Sequence, residues 1–233
     1  MPKIPFPKKR VSKPIAAEEL AILEHTYPQA VTALHYSNPF ELLIAVILSA
    51  QCTDARVNMT TPTLFRKYPT AQSLAKANQS DVERIVKSCG FFRMKAKNII
   101  NAARCLVERH AGEVPQARED LEALSGVGRK TASVVMSVAF GEAAIAVDTH
   151  VFRVAHRLGL TVGKTPRDVE RDLEGEWQFD PSAAVPSLIN LSKISTEAGY
   201  GEALTPSSLL KLIADDAELE PPAHLQGPGP LSF

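Results

Sequence analysis

The amino-acid sequence predicts an all-α protein, and three observations carry that expectation. Apolar residues recur at spacings of three and four through positions 15–164, as in Phe40-Leu42-Leu43-Val46-Ile47 and Ile99-Ile100-Ala103-Leu106-Val107; this is the period that lays a stripe along a helix. Convincing strand patterns are absent, and the short apolar run from Ala143 to Val147 is followed at once by Asp148-Thr149, a helix-capping pair. A hydrophobic share of 45% in 233 residues is enough for one large packed domain or two modest ones.

Taken in order, residues 1–14 are rich in Pro and Lys, with Lys8, Lys9 and Arg10 in a row, and lack apolar periodicity, so a flexible basic arm is expected there. The helical pattern runs from Ile15 to about Lys164 and weakens beyond Trp177, where Pro181 and Pro186 interrupt it and only Leu188–Ala198 and Ser207–Ala217 keep a helical period. The last stretch, Pro221 to Phe233, holds four prolines and two glycines and is expected to be disordered.

Net charge is zero, yet residues 166–220 carry twelve acids against four bases, a local −8 that leaves +8 elsewhere. A basic body of that kind can bind phosphate, and the same asymmetry also arises from the solvation of exposed helix faces. The sequence has no long uncharged apolar run, so neither a membrane span nor secretion is expected. Cys52, Cys89 and Cys105 are widely spaced, which suits free thiols in a reducing compartment. A cytoplasmic protein follows, nucleoid-associated if bacterial.

The segment Leu121 to Ala132 reads as a helix end, the Gly126-Val127-Gly128 turn and a second helix. Glycines at 126 and 128 allow positive φ, so successive N–H groups and the next helix N-terminus can face one anion; they equally suit a tight turn between helices. Lys130 lies in the first turn of that second helix. The positive helix end and partial burial would both favour its neutral, nucleophilic amine, while a counter-charge to bound phosphate is the other role such a lysine takes. Asp148 follows the apolar run and begins the next helix, where it serves as N-cap; a carboxylate held there can also stabilise positive charge at a sugar C1′.

Together these residues resemble the endonuclease III family of helix-hairpin-helix DNA glycosylases. The resemblance rests on Leu124-Ser-Gly-Val-Gly-Arg-Lys130-Thr-Ala and Ala146-Val-Asp148-Thr-His-Val-Phe-Arg153. It extends through Asn38 to Ala45, Ser49 to Asp54, and Gly90-Phe91-Phe92-Arg93-Met94-Lys95-Ala96. Several separated motifs in one order are a specific signal. The resemblance implies two helical domains flanking a DNA-binding cleft: a six-helix barrel over 32–142 that contains the helix-hairpin-helix, and a second domain from 15–31 with 143–216, followed by a tail over 217–233.

It also implies base-excision repair of duplex DNA holding damaged bases or abasic sites, by a monomer that removes oxidised pyrimidines and cleaves the abasic site. Lys130 would form a Schiff base and Asp148 would be the catalytic aspartate. Ser125, Gly126, Val127, Gly128, Arg129 and Thr131 would hold DNA at the hairpin. Gln51 would fill the gap left by an extruded base and Phe91 would wedge into the opposite stack, which suits the physics of base flipping. A glycosylase without lyase action on mismatched adenine, or a DNA-binding protein that has lost catalysis, are the alternatives; retention of both Lys130 and Asp148 argues for the bifunctional enzyme.

The chain departs from that family at its C-terminal region. Relatives carry four cysteines that ligate a [4Fe–4S] cluster; aligning Leu188–Ser195 with the preceding helix puts Ser195, Glu202, Thr205 and Lys211 at the ligand positions, and none is a thiolate. No cofactor and no metal are therefore expected. A cluster-free variant and a frameshifted tail both account for the change, and either predicts weaker, more salt-sensitive DNA binding.

Overall fold

The computed structural model describes residues 7, 9–26 and 32–176. Among them all regular structure is helical: α1 Lys13–Thr26, α2 Pro39–Ser49, α3 Asp54–Lys67, α4 Ala71–Ala75, α5 Gln79–Val86, α6 Phe92–Arg109, α7 Arg118–Glu122, α8 Arg129–Phe140, α9 Thr149–Arg157 and α10 Pro166–Glu176. No helix among the described residues is long and apolar enough to cross a membrane. The chain divides into two compact units, one of Thr32–Ala146 and one of Met1–Val31 with Val147–Phe233.

The first unit is built around α2. Asn38 starts this helix by accepting the Glu41 N–H at 2.9 Å, and Pro39 occupies the first turn, where its missing N–H costs no bond. Phe40 and Leu42 to Leu48 are then buried in succession, the pattern of a helix enclosed on all sides. It packs against α3, α6 and α8. Helix α6 is two-faced, burying Ala96, Ile99, Ile100, Ala103 and Leu106 while Arg93, Lys97 and Arg104 face water. Each fully buried leucine or isoleucine in this core, such as Leu43 or Ile99, contributes about 1.5–3 kcal/mol.

The barrel was expected to end at residue 142, but the first unit continues to Ala146. Ala144, Ile145 and Ala146 are buried.

In the second unit, α9 buries Val151, Val154 and Ala155, Leu158 is buried just beyond it, and α10 buries Val169 and Leu173. Thr165 and Asp168 form a reciprocal cap on α10: the Thr165 hydroxyl accepts the Asp168 N–H at 3.2 Å, and the Asp168 carboxylate accepts the Thr165 N–H at 3.1 Å.

The basic arm expected as far as Pro14 is corrected at its end. Helix α1 begins at Lys13, the Val11 N–H donates to the Gly159 carbonyl at 3.0 Å, and the Arg10 guanidinium lies 3.2 Å from the Asp172 carboxylate. Two features hold the segment down. Gly159 has φ +69, and a Cβ there would lie 2.8 Å from Val11 Cγ1, so the backbone can pass alongside only because that residue is glycine. Asp172 is buried, and a buried carboxylate needs a cation and donors; besides Arg10 it accepts the Thr161 hydroxyl at 2.6 Å. The helices expected at Leu188–Ala198 and Ser207–Ala217, and the tail over 217–233, lie outside the described residues.

Candidate nucleic-acid interface

Helices α7 and α8 are joined by the turn through Ser125 and Gly128. Leu121, Leu124 and Val127 anchor this turn in the core, and the Val127 N–H donates to the Leu124 carbonyl at 3.1 Å. Val127 is thus committed by side chain and N–H alike to the interior of the hairpin. Gly126 has φ +83, and a Cβ on it would lie 2.9 Å from Cβ and Nδ2 of Asn98 on α6. The Ser125 hydroxyl donates to Asn98 Oδ1 at 3.2 Å. Asn98, which sequence reasoning did not single out, therefore sets the hairpin on α6.

Either glycine could take positive φ, and only Gly126 does. Gly128 is extended, with φ −101 and ψ 179, because it is the residue that enters α8 and helix-entering residues take the extended conformation. It supplies no side-chain cap, and a Cβ there would meet nothing within 4 Å. Its value is an uncovered helix N-terminus, whose first N–H groups have no intrahelical acceptor and carry the positive end of the helix dipole.

Arg129, Lys130 and Thr131 form the first turn of α8. The Arg129 guanidinium reaches across the hairpin to Glu122 at 3.6 Å, an exposed pair of small energetic weight. Lys130 is exposed and Thr131 half-buried. Partial burial of Lys130 was expected; the first unit does not provide it, since the first turn of α8 stands at the unit's surface with its core side taken by Ala132 and Val135.

Asp148 belongs to the second unit. Its Oδ1 accepts the Val151 N–H at 2.9 Å, and its carbonyl accepts the Phe152 N–H at 2.9 Å. It is the N-cap of α9, as its place in the sequence implied, and its carboxylate orientation is set by the helix that it caps.

Gln51 and Phe91 occupy two adjacent turns of the first unit. Both have left-handed backbones, φ +54 and φ +45, and both are exposed, Phe91 by 76%. Gly90 lies between the turns, its missing Cβ 3.7 Å from the Gln51 carbonyl oxygen. A phenylalanine in this helical pattern reads in isolation as core; instead it stands in water at the entry to α6. Beneath both turns lies Lys95, which in the sequence stands out only as part of the Gly90–Ala96 motif. It is 5% exposed, and its ammonium donates to the Leu48 carbonyl at 2.9 Å and to that of Cys89. The signal for it was present: a lysine standing four residues before Ile99 falls on the buried face of α6.

The three cysteines are free thiols. Burial and the neighbouring Cys89 hold the Cys52 thiol above its ordinary range. Among the described residues no group of three or more His, Cys, Asp or Glu side chains is placed to hold a metal ion.

The family described as HhH-GPD superfamily base excision DNA repair protein matches residues 44–179. Endonuclease III of Synechocystis sp. is 52% identical over 167 residues, which is 71% of this chain and 76% of that protein. Endonuclease III of Haemophilus influenzae is 50% identical over 156 residues, 67% of this chain and 74% of its own. The solved structure of a trapped endonuclease III–DNA covalent intermediate, an estranged-adenine complex, matches with a TM-score of 0.68 at 43% identity, covering 75% of this chain and 85% of that one. The chain belongs to the HhH-GPD superfamily of base excision DNA repair proteins. Within that superfamily it is an endonuclease III homologue, a DNA glycosylase and abasic-site lyase.

Proposed function

We propose that the protein removes oxidised pyrimidines from duplex DNA with Lys130 as nucleophile and Asp148 as its carboxylate partner. The observation that carries this is the position of Lys130: an exposed amine in the first turn of a helix whose N-terminus has no side-chain cap, next to a hairpin suited to a phosphate. A phosphate seated on Ser125, Gly126, Gly128, Arg129 and Thr131 brings a nucleotide to the amine. Val127 takes no direct part, its N–H and side chain being committed to the turn.

The Lys130 amine attacks C1′ of the displaced nucleotide as the C1′–base bond breaks, and the base leaves with the bonding electrons and a proton. The nitrogen's second proton passes to the ring oxygen as the C1′–O4′ bond breaks and the sugar opens to an imine. Loss of a proton from C2′ then expels the 3′ phosphate by β-elimination, and water releases the lysine. Asp148, its carboxylate fixed in place as an N-cap, stabilises positive charge at C1′ and accepts the amine proton. Gln51 and Phe91 supply what base extrusion needs, a polar side chain for the vacated gap and an aromatic wedge.

The cluster that the family implies requires four thiolates. The chain has three cysteines, of which Cys89 is buried near Thr60 and Cys105 lies on α6. This donor set does not fit a [4Fe–4S] group, and Ser195, Glu202, Thr205 and Lys211 add no thiolate. We infer a monomer that works without the cluster in the reducing cytoplasm.

Borohydride trapping on duplex DNA with thymine glycol, and on an abasic site, tests the assignment. Covalent capture on both substrates, lost in Lys130→Ala, is the expected outcome. Capture that survives the substitution would remove Lys130 from the role, and DNA binding without any capture would leave a non-catalytic module.

A further inference from the structure

We propose that Lys95 is a positioning residue for base excision, holding the turns that carry Gln51 and Phe91 at a fixed separation through its hydrogen bonds to the Leu48 and Cys89 carbonyls. The proposal rests on those turns being the ones that enter the DNA stack.

Two adjacent turns place left-handed residues, Gln51, Gly90 and Phe91, at the surface. Glycine takes that conformation freely, but glutamine and phenylalanine do not, and such residues persist only where the surroundings over-determine them. The backbone bonds that close these turns are local, the Cys52 N–H donating to the Ser49 carbonyl at 2.9 Å and the Lys95 N–H to the Phe91 carbonyl at 3.1 Å, and neither of these joins one turn to the other. Phe91 enters α6 without any side-chain cap, and Gln51 and Phe91 are both exposed, so packing does not lock their side chains.

Lys95 supplies the missing constraint. One Nζ reaches the last turn of α2, at Leu48, and the residue just before Gly90, at Cys89. The Leu48 carbonyl belongs to the C-terminal turn of α2, where the helix dipole favours a cation. The Cys89 carbonyl belongs to the turn that leaves α5, closed by the Cys89 N–H on the Val86 carbonyl at 2.9 Å. Among the described residues the ammonium has no carboxylate partner. Burial pushes it below its ordinary range, with Cys52 and Cys89 pulling in the opposite sense. A lysine placed in a core at such cost, with its donors spent on two main-chain carbonyls, does what methionine in the same volume would not: it ties two loops together.

The experiment is a double-mutant cycle in the full chain, read by single-turnover excision of thymine glycol from duplex DNA and by trapping on an abasic site in single-stranded DNA, where no stack has to be opened. Lys95→Met is expected to slow duplex excision about tenfold or more while single-strand trapping falls much less, and to add little on top of Phe91→Ala, because it acts through that residue. Lys95→Gln, which keeps two N–H donors without the charge, is expected to recover part of the loss and guards against a methionine variant that does not fold. Equal losses on both substrates, or losses additive with Phe91→Ala, would overturn the positioning role alone. Unimpaired duplex excision by Phe91→Ala and Gln51→Ala would overturn the assignment of the turns and the role of Lys95 with it.

Discussion

Asp148 Oδ1 accepts the Val151 N–H at 2.9 Å, so the carboxylate proposed to face the reacting sugar is also the one that begins α9. Structural and chemical roles meet in one group, and they separate by substitution. Asparagine caps helices about as well as aspartate, whereas alanine loses about 1 kcal/mol of helix stability. Asp148→Asn is therefore expected to melt like the wild type yet excise bases at least about a hundredfold more slowly, since charge stabilisation at C1′ is lost. Asp148→Ala is expected to lose both. Thermal melting paired with single-turnover excision checks this, and wild-type rates for Asp148→Asn would confine the residue to capping.

The two glycines of the hairpin are expected to behave differently. Gly126→Ala forces a side chain into a φ of +83 and against Asn98 at 2.9 Å, which is expected to cost about 1–3 kcal/mol of stability and to distort the turn. Gly128→Ala meets open space at an extended φ of −101 and should change stability by under about 1 kcal/mol. Its methyl group would instead stand at the uncovered helix end, so the loss falls on duplex affinity. Denaturant unfolding and a binding titration at fixed salt distinguish the pair; equal destabilisation by both would show that the turn is not set by Asn98.

Arg10 is expected to be structural. Arg10→Ala leaves the buried Asp172 with Thr161 and with Arg171 at 4.0 Å, and removal of one partner from a largely buried pair is expected to cost about 1–3 kcal/mol here, the more distant arginine making up part of the loss. Denaturant unfolding measures it. An unchanged midpoint, together with weaker DNA binding, would return Arg10 to the role of a mobile basic contact.

Acid should weaken the cap of α10. The Thr165 hydroxyl donates to the Asp168 carboxylate at 2.8 Å, and that bond above all, with the Thr165 N–H and Arg171 contributing, holds Asp168 below its ordinary value of 3.8. The folded state thus binds the proton less readily than the unfolded one. The contribution of the carboxylate is fully present above 3.8 and is lost as pH falls through the lower folded value. The difference in melting temperature between wild type and Asp168→Asn is expected to narrow as pH drops through that window. A difference that stays constant would mean that the carboxylate charge plays no part in the cap.

Much of the protein was legible before any coordinates. Helical class followed from apolar spacing because a helix buries residues three and four apart, a local periodic property of the chain. The hairpin, the place of Lys130 in the first turn of α8 and the capping role of Asp148 followed because turn glycines and N-caps act over a few neighbouring residues. Charge asymmetry pointed only weakly toward nucleic acid, since a run of charge looks the same whether it solvates a surface or meets a phosphate.

Tertiary structure decided whatever depends on chain segments far apart in sequence. It set Gly126 against Asn98 of α6, 2.9 Å from where a Cβ would lie, a contact that Gly128 does not make. It placed Val11 on the turn after α9 and Arg10 on α10, through a glycine and a carboxylate more than a hundred residues away. It turned Phe91 out into water and drew Lys95 beneath it. Local propensity determines which helices form, whereas the partners of a buried charge and the exposure of an aromatic ring depend on which helices meet, and that is settled only when the core closes.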